Sequence, residues 1–168
     1  MDDALERARA SRNLLQRLAA RLPGFAGYQE RETRREVDEL LRHHLAGVLD
    51  EARRGVAAAV RRQPLTARET VARMGALEKA LDAAANRLRT AGSGYAGLFD
   101  AFKVGEAELG SLYRFDLELT ETADGVLGLA RHLDEGTLGE LEGAVEALRG
   151  EIERRPSVVR ALAGAEAS

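Results

Sequence analysis

Cysteine is missing from all 168 positions, which excludes disulfide staples, thiolate nucleophiles, iron–sulfur clusters and Cys-ligated zinc. Tryptophan is also missing, and isoleucine occurs once, at Ile152. Valine adds only 10 positions, whereas alanine supplies 30 and leucine 25. Strand-forming residues are too scarce for a sizeable sheet, so the composition predicts an all-α protein. Long apolar runs are lacking as well: uncharged stretches such as 55–60 and 91–99 fall far short of the ~20 residues of a membrane-spanning helix. The chain opens on Asp2, Asp3 and Glu6, and Arg7, Arg9 and Arg12 interrupt the apolar residues beyond them, which is not the pattern of a secretory leader. The sequence therefore predicts a cytoplasmic protein of one domain over residues 1–168.

What the chain has in quantity is charge, unevenly placed. Residues 1–90 carry 18 basic and 13 acidic side chains, and residues 91–168 carry 7 and 15, for a net charge of −3 overall. This asymmetry has two readings. Basic and acidic helices lie against one another or are simply solvated, or a bipolar surface presents its basic half to an anionic membrane or an acidic partner. An acidic balance, with a pI near 5.7, argues against nucleic acid as the partner. Of the basic residues, only Lys79 and Lys103 are lysine, a bias that fits base composition better than a binding task.

The three prolines punctuate a helical pattern. Asp3 and Glu6 have the form of a capping box, and Leu5, Ala8, Leu15, Leu18, Ala19 and Leu22 recur at helical spacing, which predicts a first helix over 4–22 stopped by Pro23 and Gly24. Val37, Leu41, Leu45, Val48, Ala52, Val56, Ala59 and Val60 form one stripe along a second helix of ~35 residues, or ~50 Å, ended by Pro64. Thr66 and Glu69 suggest a second capping box. Met74, Leu77, Leu81, Ala84 and Leu88 then give the seam of a third helix over 67–90, antiparallel to the second because the connection is short. A fourth helix over 106–133 has its seam at Leu109, Leu112, Asp116, Leu119, Ala123, Val126, Ala130 and Leu133. Thr137 and Glu140 open a fifth over 137–154, with Leu141, Val145, Leu148 and Ile152 inward, ended by Pro156 and succeeded by a frayed tail over 157–168. The expected architecture is an elongated antiparallel bundle of four main helices plus a short leading one, packed as in a coiled coil.

All seven aromatics cluster near two connectors: Phe25 and Tyr28 in the first, and Tyr95, Phe99, Phe102, Tyr113 and Phe115 around the second. The predicted topology brings both groups to one pole, either as a small aromatic core or as anchors that enter a partner's pocket or lipid headgroups. Burial of the rings decides between the two. His43 and His44 are adjacent and point about 100° apart, so they do not face one ligand together. Glu-x-x-His pairs are absent, with Leu40, Leu41 and Leu129 standing three residues before His43, His44 and His132; no metal or other cofactor is expected. Asp116 falls in the fourth seam, where it needs an arginine or hydroxyl partner, unless a seam through Tyr113, Leu117 and Leu127 places it at the edge. The glycines of 91–105 match no phosphate loop, and Gly139-x-x-x-Gly143 marks at most a close crossing of soluble helices. Arg53, Arg54, Arg61 and Arg62 form two basic pairs, candidates for contact with an anionic surface.

No catalytic constellation emerges from these residues. They point to a non-enzymatic scaffold or interaction module that binds a protein partner or self-associates, with the aromatic pole as the candidate contact. A peripheral membrane protein with its Arg-rich first helix on an anionic bilayer is the second reading. A helical carrier of a metal or small ligand through His43, His44, Glu39 or His132 is the third.

Overall fold

The computed structural model describes residues 2–23, 33–91 and 106–164. They form five helices and no strand: α1 (Asp2–Arg21), α2 (Thr33–Arg62), α3 (Arg68–Thr90), α4 (Glu106–Arg131) and α5 (Leu138–Gly164). At 30 residues, α2 is about 45 Å long and sets the length of the bundle.

Helix α2 packs against α3 and α4, and α5 packs against the same two, so four helices close a ring in the order α2, α3, α5, α4. Side-chain contacts fix their directions. Helices α2 and α3 are joined by the short turn 63–67 and Arg42 near the start of α2 reaches Leu88 near the end of α3, while Asp116 and Thr122 of α4 meet Arg155 and Glu151 of α5, so each of these pairs is an antiparallel hairpin. Between hairpins the neighbours run parallel: Gly55 abuts Ala130 and Glu51 pairs with Arg131 (α2 with α4), while Arg73 meets Glu142 and Arg87 meets Glu153 (α3 with α5). Helix α1 lies on α4, parallel to it, with Ser11 beside Gly110 and Arg21 against Glu121 and Asp124.

The heptad-like stripes account for the core. Every residue of the predicted α2 stripe from Val37 to Ala59 is buried, with Val60 half-buried at the edge, and the whole α3 seam and the four inward residues of α5 are buried too. On α4 both candidate seams are inside: Leu112, Asp116, Leu119, Ala123, Val126 and Ala130, and also Tyr113, Leu117 and Leu127. A helix with neighbours on three sides needs a wider apolar arc than one seam provides.

Three local expectations are corrected. Pro156 does not end α5; the helix runs through it to Gly164. Proline removes the N–H that would bond to the Ile152 carbonyl, but the buried Arg155 and Val159 hold the helix on either side of the gap. Thr66 does not cap α3: Ala67 stands at the cap without a side-chain bond, because Ala67 N–H donates to the Pro64 carbonyl (3.0 Å) and Arg68 N–H to the Thr66 carbonyl (2.9 Å), closing the turn with backbone alone. Asp3 lies inside the first turn of α1 rather than before it.

The third capping box has shifted by a turn. Thr137 bonds reciprocally with Asp134 instead of with Glu140: Thr137 N–H donates to Asp134 Oδ1 (2.8 Å) and Asp134 N–H donates to Thr137 Oγ1 (3.1 Å). The Thr137 N–H, and then the Thr137 hydroxyl, which donates to the same Asp134 Oδ1 at 3.0 Å, hold the Asp134 carboxyl below the usual aspartate range. A carboxyl with a lowered pKa stabilises the fold above its unfolded value and loses that contribution as pH falls through its folded value. Asp134→Asn should therefore lower the urea midpoint at pH 7, and the gap to the parent should narrow as titration proceeds from about pH 5 downward. A gap that is constant with pH would show that the carboxylate charge has no part in this turn.

Candidate functional site

The structure gathers its buried ionisable side chains in one layer near the pole where α2 begins and α5 ends. Asp38, Arg42, Asp116 and Arg155 are all less than a tenth exposed. Arg155 forks onto Asp116, with Nε donating to Oδ1 at 2.8 Å and Nη2 to Oδ2 at 3.0 Å. Its Nη1 lies 2.8 Å from Asp38 Oδ1, an ion pair in contact, although no N–H is aimed at that oxygen. The other oxygen of Asp38 accepts from Arg42 Nε at 2.9 Å, and Arg42 Nη1 donates to the Leu88 carbonyl at 3.2 Å. Thr120 Oγ1 donates to the Asp116 carbonyl at 2.7 Å, within α4. One chain of contacts thus joins α3, α2, α5 and α4.

Two carboxylates and two guanidinium groups leave the layer neutral. Burial pushes the Asp116 carboxyl up, against the pull of Arg155 and its hydrogen bonds. Burial alone would favour a neutral Arg155, but Asp116 and then Asp38 outweigh it and hold the guanidinium firmly protonated. In this arrangement Arg155 occupies the space between two carboxylates on facing helices, where a carboxylate-bound metal would otherwise find its ligands. The geometry suits fixing helix register, since fork-to-fork pairing of arginine and carboxylate tolerates little sliding.

Asp116 lies in the seam with an arginine partner. Arg155, Asp38 and Arg42 were not legible as its companions from the seam alone, for two reasons. Arg155 stands beyond the predicted end of the fifth helix, and Asp38 and Arg42 sit one position after the seam residues Val37 and Leu41. The available signals were the Asp38 to Arg42 spacing of one turn and the step of three from Ile152 to Arg155, which continues the inward row of α5.

The other candidates are scattered. Phe25, Tyr28, Tyr95, Phe99 and Phe102 lie outside the described residues. Tyr113 is buried in the core and Phe115 is half-buried against it. His43 and His132 are exposed and His44 is half-buried, and among the described residues no group of three or more His, Asp or Glu is placed to hold a metal ion. Of the basic pairs, Arg54 and Arg61 point into solvent, Arg53 is half-buried, and Arg62 Nη2 donates to the Leu133 carbonyl at 3.2 Å, tying the end of α2 to the end of α4. Gly139 and Gly143 have nothing close enough to meet an added Cβ; the tight helix crossing is at Gly55, whose Cβ would stand 2.7 Å from the Ala130 carbonyl oxygen.

Part of the charge asymmetry is met by ion pairs between helices, although Arg131 with Glu51 and Arg155 with Asp38 cross in the opposite sense. Arg21 pairs with Glu121 and Asp124, Arg73 with Glu142, and Arg87 with Glu153, each joining the basic half to the acidic half. Among the described residues no helix is long and apolar enough to cross a membrane. No protein-family model matches the chain, and neither the curated proteins nor the solved structures contain a match.

Proposed function

We propose that the chain is a non-enzymatic helical scaffold or interaction module that binds a protein partner or a second copy of itself. The observation that supports this reading is the use the molecule makes of its chemistry. Its most deeply buried ionisable groups are paired with one another in the neutral Asp38, Arg42, Asp116 and Arg155 layer, an arrangement that suits positioning helices better than meeting a substrate. Among the described residues, what can act on another molecule is a surface about 45 Å long, built of ion-paired helices.

Light scattering on the purified chain across a wide concentration range, with and without chemical cross-linking, tests the self-association arm. A mass that rises to a defined multiple of 18.2 kDa supports that arm, while a constant monomer mass transfers the whole weight of the proposal to a foreign partner.

The membrane reading has one observation in its favour: Arg9, Arg12 and Arg17 of α1 are exposed and make no ion pair among the described residues. Against insertion, Leu18 and Leu22, the apolar side of α1, are buried in the core, which leaves electrostatic adsorption as the mode of binding. Flotation with anionic vesicles should then be abolished by moderate salt, and flotation that survives salt would mean that the apolar face of α1 is released.

A further inference from the structure

We propose that the end of α5 beyond Pro156 is a hinged strap, which lifts from the end of α3 and the first half of α4 as one unit while the rest of the bundle stays folded.

The inward row of α5 and its counterpart on α4 change character together. Leu119 of α4 and Ile152 of α5 belong to the main core. Three residues further along the antiparallel pair come Asp116 and Arg155, which are bonded to each other, and four residues beyond those come Leu112 and Val159. Leu112 and Val159, with Ala91 at the end of α3 and Val158 packed against them, form an apolar cluster separate from the main core. The charged pair is thus the boundary between the core and a small satellite.

Pro156 stands at that boundary, inside the helix. It has no N–H to donate to the Ile152 carbonyl, and its ring crowds that carbonyl, so the helical ladder is weakest where the side-chain packing passes from one cluster to the other. The two sides of the proline are also held differently. Before it, Arg155 is fixed by two bonds to Asp116 and by its contact with Asp38. After it, Val159 is buried and Val158 half-buried, whereas Ser157, Arg160 and Ala161 are exposed. The Arg160 side chain bonds within the segment, with Nε donating to the Pro156 carbonyl at 3.2 Å and Nη2 to Ser157 Oγ at 3.4 Å.

A helix end that merely frays loses its residues one at a time from the terminus. A segment with its own small cluster beyond a break in the ladder opens together, because Val159 leaves that cluster only when its whole turn moves. Two turns of helix do not persist alone in water, so lifting also exposes the backbone N–H groups of the strap to exchange. The same movement takes the Val159 cover off Leu112 and leaves the bonds between Asp116 and Arg155 in place.

Residue-resolved hydrogen exchange of the full chain, followed by NMR, tests the hinge. The amides of Val158, Val159, Arg160 and Ala161 should share one opening and be at least about tenfold less protected than those of Ile152 to Arg155, with the step at Pro156. Pro156→Ala restores the donor to the Ile152 carbonyl and should raise protection across 158–161 by about tenfold or more. Val159→Ala trims the satellite cluster and should lower protection across the same four residues by about five- to tenfold, with 141–152 unchanged. Should either variant fail to fold, the profile of the parent still decides the matter. Protection that climbs smoothly from Gly164 to Ile152 is ordinary fraying and overturns the strap. So does a segment 158–161 as slow to exchange as the main core, and a step that Pro156→Ala leaves unchanged overturns the hinge.

Discussion

Arg155→Ala should destabilise the bundle by about 3–5 kcal/mol, the loss typical of removing one member of a buried ion pair and leaving the other charged. Asp116 would keep two buried oxygens that currently accept from Arg155 at 2.8 and 3.0 Å, and Asp38 would lose its nearest guanidinium contact on Oδ1. For a chain of this size that corresponds to a fall of roughly 6–20 °C in Tm. The double replacement Asp116→Leu/Arg155→Met removes one charge of each sign and leaves Asp38 with Arg42, so it should recover most of the loss and stay within about 1–2 kcal/mol of the parent. Urea denaturation of the three proteins distinguishes the outcomes. An Arg155→Ala protein as stable as the parent would mean that water reaches the layer and solvates the carboxylates left behind.

Gly55→Ala should cost about 1–3 kcal/mol, against the usual direction for a helix interior. Replacing glycine by alanine inside a helix ordinarily stabilises by up to ~1 kcal/mol. At Gly55 the new Cβ would lie 2.7 Å from the oxygen and 3.0 Å from the carbon of the Ala130 carbonyl, so backbone rather than a flexible side chain must yield. The parallel crossing of α2 and α4 would have to open, and with it the level at which Glu51 meets Arg131. Gly47 on the same helix is exposed, with nothing within 4 Å of its added Cβ, and Gly47→Ala should raise stability by up to ~1 kcal/mol. Opposite signs from two glycines eight residues apart on one helix would establish the crossing, and a gain at both would remove it.

The all-helical class and the seams were legible because apolar spacing in a bundle is repetitive: the predicted α3 row from Met74 to Leu88 and the α5 row from Leu141 to Ile152 are both buried in full. Ring order was not legible, because α4 buries residues on three sides and a single stripe cannot say which neighbour takes which side. Local rules failed where a competing contact, tertiary or local, was stronger. Pro156 reads as a stop by its missing N–H, yet Arg155 and Val159 anchor the helix across it. Thr137 reads as the partner of Glu140, yet Asp134 offers it two backbone-closing bonds one turn earlier. The buried layer was half visible: Asp116 announces itself as a carboxylate in a seam, whereas Asp38 and Arg42 look like solvent-facing charges until Arg155 of α5 meets the first and Leu88 of α3 the second. Close contact at Gly55 leaves no mark in sequence beyond a glycine in a helical run.

On the function proposed, this chain acts by holding another protein chain. Native mass spectrometry of the tagged protein, recovered from its host's lysate under mild conditions, tests it most directly. The expected result is a complex of fixed stoichiometry heavier than the 18.2 kDa chain, resolved into a foreign companion or a second copy. A bare monomer at every concentration and salt, with no companion at any defined ratio, would contradict it.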